Sequence, residues 1–148
     1  MDSRLINEYL DAIDCFIGTF PRDGIPVPDK LPKGYIINTH TSDLPGEHWV
    51  AIYIDSRGRG QYFDSYGLFP LYNEFTEFLN DYCTSWNYNS RTFQSSNSST
   101  CGLYCIFFIL FRCLGFSYCQ FASFFNQSEN ANDFILTPFL DQNWLHDN

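Results

Sequence analysis

Residues His48–Ile54 carry apolar side chains on both faces of an extended segment, with Val50 and Ile52 on one side and Trp49 and Ala51 on the other. A strand with two apolar faces belongs in a sheet covered on both sides, so the chain must supply helices or loops for two faces. The material is there: of 148 residues, 45% are hydrophobic and 20% aromatic, including 16 Phe and 10 Tyr. That content argues against disorder, and the length suits a single domain over residues 1–148 with a sizeable core. There is no internal repeat.

The other elements follow from periodicity. Apolar residues at Leu5, Ile6, Tyr9, Leu10, Ile13 and Ile17 predict an amphipathic helix over residues 3–17. Pro21–Pro32, with four prolines and one glycine, reads as an extended connector, and Gly34–Thr39 as a short strand. His48–Ile54 and Gly60–Asp64 read as two strands joined by the turn-rich loop 55–60. Pro70 is expected to open a helix carrying Tyr72, Phe75, Phe78, Leu79 and Tyr82. A short strand is placed around Arg91–Gln94. Ser98, Ser99 and Thr100 are cap candidates for a buried helix Cys101–Leu114, closed by Gly115. Tyr118–Phe125 and Asp133–Trp144 form helical patches.

Composition excludes several classes of function. The net charge of −9, from 17 acidic and 8 basic residues, leaves no basic stripe to neutralise phosphates, so a general affinity for nucleic acid is not expected. Arg112 and Gly115 interrupt the best apolar run, Ile106–Phe111, before it reaches the length of a membrane span. Asp2, Glu8, Asp11 and Asp14 fall where a signal peptide would be apolar, so an intracellular, non-secreted protein is expected. For such a protein six free thiols are the default, with Cys105, Cys113 and Cys119 as packing residues. Without a CxxC, and with no histidine at ligand spacing from the cysteines, no zinc site is expected.

One constellation can do chemistry. In the first turn of a helix capped at Thr100, Cys101 meets unpaired N–H groups and the positive end of the helix dipole, which favour a thiolate. Gly102 has no side chain to keep a substrate backbone away. If residues 48–54 and 60–64 pair as an antiparallel hairpin, His48 and Asp64 lie at the same open end. A carboxylate on one ring nitrogen fixes the tautomer, leaving the other nitrogen to take the thiol proton. Gln94 can donate to an oxyanion beside the Cys101 backbone N–H. Trp49 can wall the substrate groove. Each residue alone has an ordinary reading: strand-end histidine, turn aspartate, loop glutamine, interior tryptophan. His40 and His146 are taken as surface residues.

Gly46-Glu47-His48-Trp49, then Tyr62-Phe63-Asp64-Ser65-Tyr66-Gly67, then the run from Gln94 through Asn97-Ser98 to Cys101-Gly102-Leu103-Tyr104-Cys105 resemble the adenovirus protease (adenain) family, which is related to the ubiquitin-like-protein proteases. The resemblance covers roughly residues 1–115. It implies an α+β fold: a central, mainly antiparallel sheet flanked by helices, with the nucleophile at the N-terminus of a buried helix. It implies a triad of Cys101, His48 and Asp64, an oxyanion hole of Gln94 and Cys101, and a groove lined by Trp49 and Gly102.

Cleavage after small residues, at Gly-Gly or Gly-X sites in viral structural precursor polyproteins, is what the family does. Similar enzymes occur in Polinton (Maverick) elements. Thr100 before the cysteine, and the step of seven from Gln94, favour the adenain branch. Two alternatives remain: a deconjugating protease for a ubiquitin-like modifier, and a catalytically silent binding module. The resemblance further suggests a short activating viral peptide joined through Cys83, with the chain in the host nucleus or cytoplasm or packaged in the virion. No cofactor is required by the sequence, and the acidic charge argues against DNA stimulation.

Overall fold

The computed structural model describes residues 1–96, 98–125 and 128–144. Helix α1 (Ser3–Leu10) leads into strand β1 (Phe16–Pro21) and a single 3-10 turn at Arg22–Gly24. Strands β2 (Lys33–Asn38), β3 (Trp49–Ile54) and β4 (Arg59–Phe63) follow, then helix α2 (Asn73–Tyr82) and strand β5 (Ser85–Tyr88). Helices α3 (Cys101–Cys113), α4 (Tyr118–Ser123) and α5 (Glu129–Trp144) complete the chain. The strands lie in sequence order in one sheet. Its centre, β2–β3–β4, is antiparallel, and each edge strand is added in parallel.

The period of two in the strands sorts their side chains into two cores. Ile36, Ala51, Tyr53 and Phe63 face α1, α3, α4 and α5. Tyr35, Ile37, Val50, Ile52, Ile54 and Tyr62 face α2 and the chain around Ile17, Phe20 and Leu31. The sheet is therefore covered on both sides, as the apolar faces of residues 48–54 require. Helix α3 is apolar nearly all round, which suits a central helix. Eight of its 13 residues are buried. Each large apolar side chain removed from water contributes about 1.5–3 kcal/mol.

Several expectations need correction. The helix predicted over 3–17 stops at Leu10, because Ile13 N–H donates to Leu10 O and Phe16 N–H to Ile13 O in successive turns. The chain then gains more by pairing β1 with β2 than by continuing a helix. Asp2 caps α1, its carboxylate accepting from Leu5 N–H at 3.0 Å. Pro70 does not open α2, which starts at Asn73 after an extended Tyr72. The strand placed at Arg91–Gln94 lies instead at Ser85–Tyr88, while Phe93 and Gln94 donate their N–H groups to Ser65 O. Helix α3 ends as expected, with Gly115 at positive φ.

Cysteines depart from the all-thiol expectation. Cys15 and Cys113 form a disulfide with Cα atoms 5.6 Å apart. Cys15 lies outside α3, in the turn before β1, which brings it alongside the end of the helix. Cys105 is buried, whereas Cys119 is exposed. His40 is half-buried, its Nε2 3.2 Å from Glu47 Oε2, rather than a surface residue. His146 lies outside the described residues. Among the described residues, no helix is long and apolar enough to cross a membrane, and no cluster of His, Cys, Asp and Glu has the makings of a metal site.

Candidate active site

The hairpin puts His48 and Asp64 where its register requires. Ala51 pairs with Phe63 and Ile54 with Gly60, so His48, one residue before β3, and Asp64, one residue after β4, flank the same open end. His48 Nε2 lies 2.9 Å from Asp64 Oδ1, which leaves Nδ1 for the thiol of Cys101. Cys101 comes from the other layer, at the first position of α3, and lines the same cleft as the imidazole, which lowers its pKa. Thr100 caps α3 through its backbone, its carbonyl accepting from Leu103 N–H at 3.0 Å, and makes no side-chain cap bond.

The electrostatics favour an ion pair. Burial is the largest influence on His48 and disfavours its charged form, yet the bonds to Asp64 and Cys101 outweigh it and raise the pKa to about 9. Burial likewise pushes the Cys101 thiol up. The hydrogen bond and charge of His48, with the N–H groups of Trp49 and Gly102, more than offset it, so the thiol sits below its ordinary value. Cys105, one helical turn on, has no such donors, and full burial drives its pKa well up.

Neighbours that sequence reasoning missed hold this pair. Asn89, 3% exposed, accepts from Asp64 N–H at 2.9 Å and donates to Asp64 O at 2.7 Å. Nothing in the polar stretch 87–97 singles it out. Tyr66 stacks on the His48 ring, centroids 5.0 Å apart, and its N–H reaches Asp64 Oδ1 at 2.8 Å. The tight turn there needs Gly67, with φ +73° and its N–H on Asp64 O; an added Cβ would strike the Arg91 carbonyl.

Gln94 is 1% exposed, and its side chain also faces the site. Its Oε1 accepts from Ser65 Oγ at 2.6 Å, and its Nε2 donates to Ser98 O at 2.9 Å and Ser98 Oγ at 3.0 Å. His48, Trp49, Asp64, Gln94, Ser98 and Cys101 line one cleft of about 490 Å3. Leu68, Phe69 and Leu71, all exposed, form its apolar wall. Trp49 lines the cleft, and Gly102 does not face open space. Met1 Sδ lies 3.1 Å from where a Gly102 Cβ would stand, and Trp49 Nε1 donates to Met1 O at 3.0 Å.

Cys83 lies away from this cleft, at the end of α2. Its sulfur packs on Gly60, and burial pushes its thiol up to about 11. That setting disfavours the thiolate that disulfide exchange needs. Asn97, part of the run read as resembling adenain, lies outside the described residues.

With the geometry in hand, two curated proteins match the sequence. The protease of human adenovirus B serotype 3 is 32% identical over 110 residues, covering 64% of this chain and 52% of that protein. A cysteine protease of African swine fever virus is 31% identical over 112 residues, covering 68% and 41%. A crystal structure of the swine fever virus protease superposes with a TM-score of 0.52 at 28% identity, over 70% of this chain and 42% of that one. The chain is adenain-like in sequence and in fold. A second crystal structure of the same swine fever virus protease, at 19% identity and a TM-score of 0.59 over 88% and 61%, supports the fold of this adenain-like chain alone. No protein-family profile matches. The chain spans about half the length of the curated relatives it matches.

Proposed function

We propose that the chain is a cysteine endopeptidase with Cys101 as nucleophile, His48 as base and acid, and Asp64 as the residue that orients His48. One observation carries the reading: a half-buried imidazole bonded at 2.9 Å through one nitrogen to a buried carboxylate, with the thiol of the first residue of α3 in the same cleft. In this reading the Cys101 thiolate attacks the scissile carbonyl carbon, and the carbonyl π-electrons move to oxygen. The Cys101 N–H and a Gln94 Nε2–H stabilise that oxyanion. An oxyanion is a stronger acceptor than the Ser98 hydroxyl, which now takes one of the two Gln94 hydrogens. As the oxyanion collapses, the C–N bond breaks and protonated His48 gives its proton to the leaving amine. Water, deprotonated by His48, then hydrolyses the thioester.

The substrate class is the one the resemblance to the adenain family implies: cleavage after small residues, of Gly-Gly or Gly-X type, in structural precursor proteins of a virus or virus-like element. Trp49 lies against Gly102 where the substrate glycine is expected to pass. Met1 now shares that place, so substrate must enter beside it or displace it.

The test is labelling with a peptide aldehyde or vinyl sulfone ending in Leu-X-Gly-Gly, mapped by mass spectrometry, beside cleavage of a Gly-Gly peptide. Labelling at Cys101 that a His48→Ala variant loses, with cleavage that a folded Cys101→Ala variant loses, is the expected result. Cleavage that survives Cys101→Ala would overturn the assignment. A wild-type chain that neither labels nor cleaves would favour a silent binding module. Turnover restricted to the C-terminal amide of a folded ubiquitin-like modifier would favour a deconjugating enzyme.

A further inference from the structure

Two adjacent residues of α5, which lies outside the segment resembling adenain, grip the backbone on both sides of Gln94. Asn132, fully buried, donates from Nδ2 to Phe93 O at 3.2 Å, and Ser95 N–H donates to Asp133 Oδ2 at 3.2 Å. The other carboxylate oxygen, Asp133 Oδ1, accepts from Tyr104 Oη at 2.6 Å and from Thr100 Oγ1 at 3.3 Å. Asp133 thus ties the first and last residues of the loop 95–100 to each other and to α3, one turn beyond Cys101.

The directions of these bonds follow from counting hydrogens. A carboxylate only accepts, and each hydroxyl has one hydrogen to give. Thr100 gives its hydrogen to Asp133, so in the 2.8 Å contact between Ser98 Oγ and Thr100 Oγ1 it is Ser98 that donates. Ser98 Oγ is then left as an acceptor for Gln94 Nε2–H, and Ser98 O can only accept. At the far end Ser65 Oγ donates to Gln94 Oε1. The Gln94 amide therefore has one orientation, with its N–H groups toward the site and its carbonyl away.

We propose that Asp133 is a positioning residue: acting through Thr100 and Ser98, and holding Ser95, it aims the Gln94 amide at the oxyanion. This rests on the protease reading above. Ser95 N–H on one oxygen and the Tyr104 and Thr100 hydroxyls on the other all keep a partner only while both side-chain termini of residue 133 are acceptors. Asp133→Asn sets an NH2 group against either Ser95 N–H or the hydroxyl pair, so one end of the loop loses its anchor.

The experiment compares wild type, Asp133→Asn and Thr100→Val in two reactions. Cleavage of a Gly-Gly peptide needs the thiolate and the oxyanion donors. Alkylation of Cys101 by iodoacetamide, followed across pH, needs only the thiolate–imidazolium pair, because it passes through no oxyanion. The expected result is a fall in kcat of about tenfold to a hundredfold in both variants, with KM and the alkylation rate within about twofold of wild type. An unchanged kcat overturns the proposal. So does an alkylation rate that falls in step with kcat, since that marks a general loss of structure. If Asp133→Asn does not fold, the isosteric Thr100→Val, which leaves the carboxylate with Tyr104 and Ser95, decides alone. A wild-type chain that alkylates at Cys101 but cleaves nothing overturns the protease reading, and this inference with it.

Discussion

At the scale of single residues, the pair His48–Cys101 governs pH behaviour. In the proposed mechanism the attack needs Cys101 as thiolate and His48 protonated. Cys101 has its pKa lowered, so the thiolate is lost only as pH falls through that lowered value. His48 has its pKa raised to about 9, so its proton is lost as pH rises through that point. kcat/KM should therefore be bell-shaped, its acid limb set by the lowered Cys101 pKa and its alkaline limb falling near pH 9; a rate that instead climbs steadily through pH 9 would mean an ordinary thiol. Asp64→Asn should lower kcat by roughly 10²–10⁴ in steady-state assays with KM little changed. Its backbone bonds to Asn89 do not depend on the carboxylate, so the loop stays in place. His48, Asp64 and Cys101 were legible in sequence because their types and order are unusual together. Asn89, Tyr66 and Asp133 were not, because a residue that holds another has no chemistry of its own to announce it.

At the scale of elements, α3 is anchored at both ends. Its start is tied through Thr100 and Tyr104 to Asp133, and its last residue, Cys113, is bonded to Cys15 across 98 residues of chain. Cys15→Ser should lower unfolding stability by about 2–5 kcal/mol in denaturant titration. Reductant should shift the wild type toward the variant and leave the variant unchanged; equal midpoints under oxidising conditions would mean that the bridge does not form in solution. Strand and helix cores were readable from apolar spacing, whereas ends were not. The apolar positions Ile13 and Ile17 keep helical spacing beyond Leu10, yet they serve a turn and a sheet edge, because partner β2 offers hydrogen bonds that an isolated helix end lacks.

At the scale of the whole molecule, the site straddles a layer boundary: His48 and Asp64 ride on the sheet, Cys101 on α3. Their spacing is set by what packs between the layers. Phe63 stacks on Phe108 with centroids 4.7 Å apart and planes 7° from parallel, and Phe121 meets both rings edge-on. Phe108→Ala should cost about 3–5 kcal/mol of stability by thermal or chemical unfolding. It should also slow cleavage under conditions where the variant is still folded, because α3 can then settle toward the sheet and carry Cys101 off His48. A destabilised variant with unchanged kcat would show that the loop bonds alone hold the site. The alternating strands, the buried helix and the four residues His48, Asp64, Gln94 and Cys101 were determined by sequence, since local periodicity and residue chemistry are written along the chain. The Cys15–Cys113 bridge, Met1 over Gly102, and the clamp of α5 on the loop before Cys101 were decided only by tertiary structure, because each joins residues far apart in sequence whose meeting depends on how the layers close.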